Sequence, residues 1–272
     1  MFPRHFERVD WSPNPRRPPD LDAWPFSIPA VAQLIRQGGF DVPPGITFLV
    51  GENGSGKSTL IEAMAEIYPR RGHASNFANV VGPTPSAEDS PLVYHVRPRL
   101  HRSASPAGFF LRAEAMHDFS SQTDANRFAE RAWGGEKLQE RSHGESFLAV
   151  LRHRFDEQGV YFMDEPEAAL SFQSCLSLLA LLDAMRREGS QVLVATHSPL
   201  LVTLPGATLM ELDDTGFRTV NGFENLALVQ QWRSFLADPK RYYRHLLPTP
   251  ELPPEGADDR DGDFDDDDVG DG

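Results

Sequence analysis

Cysteine is nearly missing from this chain. Cys175 stands alone in 272 residues, which excludes an internal disulfide framework and a zinc site built on thiolates. Lysine is almost as scarce: Lys57, Lys137 and Lys240 are the only three among 26 basic residues, so a lysine inside a motif stands out. No uninterrupted apolar run approaches the ~20 residues of a membrane span. The opening MFPRHFERVDW has no apolar stretch of a secretory leader. The expectation is a soluble, cytoplasmic protein. Neutrality is lacking too, but unevenly. Of the net charge of −14, −10 comes from residues 249–272, where eleven acids face Arg260 alone. A segment so acidic and so poor in apolar residues is expected to be a disordered tail, 248–272, serving solubility. Mimicry of DNA, or occupation of an arginine-rich surface, are its rival uses.

What remains alternates apolar runs with helical patterns. Phe6–Trp11 reads as an edge strand, and the proline-rich stretch 11–20 as an irregular arm. Ile46–Val50 is a continuous run of β-formers. It leads through a glycine-rich loop into STLIEAMAEIY, where Leu60, Ile61, Met64 and Ile67 recur at helical spacing. Residues 70–107 look irregular. Gly108–Glu114 and Val160–Met163 read as strands, Ser146–Phe155 and Ala168–Arg187 as helices, and Gln191–Ala195 as a further buried strand. Thr208–Val220 is a hairpin turning at 213–216, and 225–247 holds one or two helices ending before Pro248. Strands apolar along their whole length, alternating with helices, predict an α/β fold with a mostly parallel sheet covered on both faces.

Three strand ends carry chemistry. Gly51-Glu52-Asn53-Gly54-Ser55-Gly56-Lys57-Ser58-Thr59 fits G-x-x-x-x-G-K-[ST] between a strand and a helix. Glycines let successive N–H groups face phosphate oxygens, and the helix start adds its positive dipole end. Lys57 is suited to the β- and γ-phosphates, and the Ser58 hydroxyl to Mg2+. The strand at Val160 ends in Asp164-Glu165, where an open α/β sheet places its ligand. Asp164 can hold Mg2+, and Glu165 can polarise an attacking water. The strand at Gln191 ends in Thr196-His197, where a histidine can reach a terminal phosphate from the side opposite the lysine. Ser142-His143-Gly144-Glu145-Ser146 opens the helix expected at Phe147. It is both a capping box and a second anion site, economically read as facing the nucleotide of another subunit.

The order GENGSGKST, SHGES, YFMDEPEAALS, ATHSP resembles the ATP-binding-cassette (ABC) ATPases, and within them the SMC/Rad50/RecF-like branch and its small stand-alone bacterial AAA-family relatives. The resemblance covers residues 1–247, as one P-loop NTPase domain with a small lobe inserted at about 70–145. It implies ATP and Mg2+ as cofactors, with Gly51–Thr59 as Walker A loop and Ser142–Ser146 as a degenerate signature. It implies Asp164 as Walker B aspartate, Glu165 as catalytic base, Ala168–Ser171 as D-loop and His197 as switch histidine. It further implies a head-to-tail homodimer sandwiching two ATP molecules. The family's Q-loop glutamine has no clear counterpart; Glu114 and Gln122 both stand near its place. An aromatic at Trp24–Phe26 either stacks on adenine or packs in the core. Only 85 positions separate Lys57 from Ser142, without heptads, so no coiled-coil arm is present.

The function expected is an ATP-hydrolysing switch driving a separate effector protein or a DNA transaction. Arg97, Arg99, Arg102, Arg112, Arg127, Arg131 and Arg141 could meet nucleic-acid phosphates, although acids interleave them. The alternatives are the nucleotide-binding subunit of an ABC transporter, which the SHGES signature argues against, and a non-hydrolysing ATP-gated binding module.

Overall fold

A computed structural model describes residues 4–68, 90–105, 107–112 and 157–246. The described strands are β1 (Phe6–Trp11), β2 (Gly39–Asp41), β3 (Ile46–Val50), β4 (Val96–Leu100), β5 (Gly108–Arg112), β6 (Val160–Asp164), β7 (Gln191–Thr196), β8 (Thr208–Asp213) and β9 (Gly216–Val220). The described helices are α1 (Pro29–Gln37), α2 (Lys57–Ile67), α3 (Phe172–Arg187), α4 (Ala227–Ala237) and α5 (Pro239–Leu246). Contacts divide the chain after Trp232 into two compact units.

In the first unit six strands lie in the order β5-β6-β7-β3-β8-β9, all parallel except the closing β8–β9 hairpin. The buried strands are largely apolar because each face meets a different core. Phe48, Val50, Tyr161, Met163, Val192 and Val194 pack with Leu178, Leu182 and Met185 of α3. Their neighbours Leu49, Phe162, Leu193 and Ala195 pack with Leu60, Ile61 and Met64 of α2. The period-two alternation of a strand thus fills two apolar layers.

A three-stranded antiparallel sheet, β2-β1-β4, lies over the α2 side and contributes Phe6 and Val9 to that core. Neither β2, β4 nor α1 was expected from the sequence. The stretch 70–107, read as irregular, carries β4 and a 3-10 turn at Pro91–His95. The two sheets are tied by Gln191, which is fully buried. Its Oε1 accepts the N–H groups of His5 (3.1 Å) and Phe6 (2.8 Å), and its Nε2 donates to the carbonyls of Phe6 (2.9 Å) and Pro43 (2.7 Å). Gln191→Ala strands these backbone groups away from water. It is expected to lower the unfolding free energy by roughly 2–4 kcal/mol, seen as a lower urea midpoint at unchanged slope. An unmoved midpoint would show that β1, the central strand of its sheet rather than the edge strand expected, is held by packing alone.

The helix expected from Ala168 begins later, at Phe172. Pro166–Ala169 form a 3-10 turn, and Ser171 caps α3 by accepting the Ser174 N–H at 3.2 Å. Leu176 is 39% exposed, and Phe172 is 70% exposed. In the second unit, the Phe235 ring meets Tyr242 and Tyr243 edge-on, and Tyr242 donates to the Ser234 hydroxyl at 2.8 Å. The helix expected over Ser146–Phe155 and the tail 248–272 lie outside the described residues.

Candidate functional site

Three parallel strands, β3, β6 and β7, end at one rim, and β5 ends level with β6, where Arg112 stands beside Asp164. A cavity of about 670 Å3 opens there. Asn53, Gly54, Gly56, Lys57, Ser58 and Thr59 line it from the loop, and Asp164 and Glu165 from the end of β6. Its size lies within the roughly 300–1,000 Å3 of ligand clefts.

The loop from Gly51 to Gly56 joins β3 to α2 as its sequence predicts. Gly54 (φ +82°) and Gly56 (φ +97°) take left-handed conformations that L side chains rarely adopt. At Gly56 a Cβ would also lie 2.7 Å from the Ile28 side chain. The Ser55 N–H donates to the Glu52 carbonyl at 3.2 Å, tightening the turn. Lys57 opens α2 almost fully buried, and its Nζ donates to the Glu52 carbonyl at 3.0 Å. Burial pushes its pKa down, opposed by the nearby charges of Glu165, Asp164 and Glu167.

Ser58 Oγ donates to Asp164 Oδ1 at 3.0 Å. Burial raises the Asp164 pKa, while the Ser58 hydrogen bond and the Arg112 and Lys57 charges oppose it and Glu165 adds to it. These two hard oxygens fit Mg2+, which keeps several waters and takes phosphate oxygens beside one or two protein ligands. Among the described residues no cluster of three His, Cys, Asp or Glu is arranged to hold a metal, so a cation here would be completed by its nucleotide.

Glu165 is the only described non-glycine residue with positive φ (+49°). It precedes Pro166, which disfavours compact conformations in the residue before it, so the sequence gives no warning of this turn. The Glu165 N–H donates to the Ala195 carbonyl of β7 at 2.9 Å. Its Oε1 lies 3.1 Å from Nδ1 of His197, whose side chain is 46% exposed. Ser58 of the phosphate loop thus lies against the acidic strand end, and the histidine against its next residue.

Two charged lining residues, Arg112 and Glu62, were not foreseen in this role. Arg112, expected at most on a nucleic-acid surface, lines the cavity and is ion-paired with Glu62 of α2, which also lines it. The signal was available, since any residue ending a strand beside β6 reaches the same rim. Trp24 lines the cavity and is 58% exposed, whereas Phe26 is 4% exposed and packs edge-on against Trp11 and His95. Of the two aromatic candidates only Trp24 borders the site. Ser142, His143, Gly144, Glu145 and Ser146, together with Glu114 and Gln122, lie outside the described residues.

Residues 87–203 match a family described as "AAA domain, putative AbiEii toxin, Type IV TA system", and residues 32–65 match a second AAA-domain family. The chain is 25% identical over 230 residues to the cytochrome c biogenesis ATP-binding export protein CcmA of Bordetella parapertussis, covering 76% of this chain and 99% of that one. It is 27% identical over 191 residues to a ribose import ATP-binding protein RbsA of Rubrobacter xylanophilus, covering 58% of this chain and 34% of that protein. The chain thus spans about a third of the length of the ribose import relatives. Among solved structures, "An inward-facing conformation of a putative metal-chelate type ABC transporter" superposes with a TM-score of 0.45 at 14% identity, covering 83% of this chain and 86% of that one. Every curated relative named here is an ATP-binding protein, and the chain is similar to these ABC-type proteins and to the AAA-domain families.

Proposed function

We propose that the protein hydrolyses Mg·ATP and uses the cycle as a switch. The observation that carries this is the meeting of the Ser58–Asp164 pair (3.0 Å) and the Glu165–His197 pair (3.1 Å) at the mouth of a glycine-lined loop. Lys57 and the loop N–H groups bind the phosphates. Ser58 and Asp164 would hold Mg2+, which when bound would supply neutralisation of charge on the phosphate oxygens. Glu165 accepts a proton from the attacking water as oxygen bonds to the γ-phosphorus and the bond to the β–γ bridging oxygen breaks, leaving ADP and phosphate. His197 holds the carboxylate in place through Nδ1. Phosphate release from ATP, abolished by EDTA, tests the reading; binding without turnover, whatever the partner, would establish the ATP-gated binding module instead.

The resemblance of the whole motif order supports a head-to-tail homodimer, with Ser142–Ser146 of one copy facing the nucleotide of the other and the dimer driving a separate effector or a DNA transaction. The import and export relatives favour a second reading, as the nucleotide-binding partner of a membrane transporter. No helix among the described residues is long and apolar enough to cross a membrane, so that reading needs another chain. Recovery of a membrane protein on the full-length chain would establish it.

In this reading Trp24, which borders the cavity, stacks on the base. Trp24→Ala should weaken ATP binding about tenfold, since base stacking on an aromatic contributes roughly 1–3 kcal/mol. It should leave the thermal midpoint of the free protein unchanged, because the ring is 58% exposed. ATP should also quench Trp24 fluorescence. Undiminished affinity in the variant would place the base elsewhere.

A further inference from the structure

We infer that Glu167 is a positioning residue which sets His197 against Glu165, an inference resting on the roles just given to that pair. Pro166 follows the left-handed Glu165 and starts the 3-10 turn Pro166–Ala169. The turn carries the chain back across the end of β6 toward β7. There Glu167 Oε1 accepts two hydrogen bonds from consecutive residues, the Thr196 hydroxyl (2.5 Å) and the His197 backbone N–H (3.0 Å). The Thr196 oxygen in turn accepts the Ser198 N–H at 3.0 Å. The hydroxyl's proton is therefore committed to Glu167 and its lone pair to the strand exit. On the other side of the same step, the Ala195 carbonyl accepts the Glu165 N–H.

The exits of β6 and β7 are thus tied on both sides of His197. The His197 side chain is nearly half exposed, so packing does not orient its ring. What brings Nδ1 to 3.1 Å from Glu165 Oε1 is where the backbone starts the side chain, and Glu167 holds that backbone. Oε2 of Glu167 is buried and has no hydrogen-bond partner among the described residues. The work of this carboxyl therefore rests on Oε1 and its two donors. A glutamine keeps that acceptor; an alanine loses it.

The test uses the full-length chain with ring-15N-labelled histidine, His197 being assigned by its loss in His197→Ala. Glu167→Ala should lower kcat on the order of 10–100-fold, as misplacement by about 1 Å does, with KM for ATP within twofold. Glu167→Gln should remain within threefold of the unaltered chain. In a His197→Ala background, Glu167→Ala should add no further loss, the non-additivity expected of residues acting as a unit. The His197 ring-nitrogen signals should move toward solvent-like values in Glu167→Ala and stay in Glu167→Gln. Thr196→Val, which removes one donor and keeps the shape, should move them the same way should Glu167→Ala fold poorly. Losses that multiply with His197→Ala, a rise in KM at constant kcat, or an unmoved His197 signal would each overturn the inference. A chain that never hydrolyses ATP would defeat the function proposed above. The His197 signal in the Glu167 and Thr196 variants would still decide this inference.

Discussion

Glu165→Gln should keep Mg·ATP binding within about threefold of the unaltered chain while phosphate release falls roughly 10²–10⁴-fold, the contribution of a positioned general base. Glutamine matches glutamate in shape and loses only the ability to take a proton. The left-handed backbone and its N–H bond to the Ala195 carbonyl are backbone features and survive the change. A second readout follows from the proposed sandwich. With hydrolysis stalled, closed dimers accumulate, so Mg·ATP should shift the solution mass from the 30.3 kDa of one chain to about 60 kDa. Light scattering with and without nucleotide measures this directly. Unchanged turnover would remove Glu165 as base. Lost turnover at constant mass would keep the chemistry and reject the homodimer, leaving a different chain or a nucleic acid to complete the site.

Sequence disclosed this site where burial left the chain no choice. A strand packed on both faces cannot carry Asp164, or a glycine-rich loop after Val50, until it emerges, so a change of residue class along an apolar run marks the sheet's C-terminal rim. The same argument located His197 after β7, and turn residues located the hairpin at 213–216. It failed where pairing is remote and sides are mixed. β4 reads VRPRL, with two exposed arginines and a proline, and becomes a strand only because β1, some 90 residues earlier, offers it an edge. The helix α1 follows a proline-rich arm and starts at Pro29, so its apolar spacing was overshadowed by its surroundings. Glu167 belongs to the site through Thr196 and His197, some 30 residues away. No local pattern encodes that clamp, because it exists only once β6 and β7 lie side by side.

The other large effect is expected at Lys57. Its ammonium faces a cavity whose rim holds Asp164 and Glu165, with the Glu167 charge also near. It is the one cation that the loop itself supplies. Lys57→Ala therefore does more than delete a donor. It leaves these carboxylates to meet a polyanionic ligand with Arg112 as the remaining cation among the described residues lining the cavity, and Arg112 is already paired with Glu62. Charge-assisted hydrogen bonds contribute roughly 1.5–3 kcal/mol each. The loss of one or two should weaken ATP binding about 10²–10³-fold, with the added like-charge repulsion pushing toward the upper end. The free protein should fare differently. Lys57 bonds only the Glu52 carbonyl among the contacts seen for its ammonium, and its burial already disfavours the charged form. Its removal should therefore shift the nucleotide-free melting temperature by no more than a few degrees. The discriminating measurement is the stabilisation by ligand: a nucleotide that binds the native state raises the melting temperature with its concentration. Millimolar Mg·ATP should do so for the unaltered chain and for Glu165→Gln, and fail to do so for Lys57→Ala. Equal stabilisation of all three would mean that ATP is held without the loop, and the reading of Gly51–Ser58 as a phosphate cradle would fall with it.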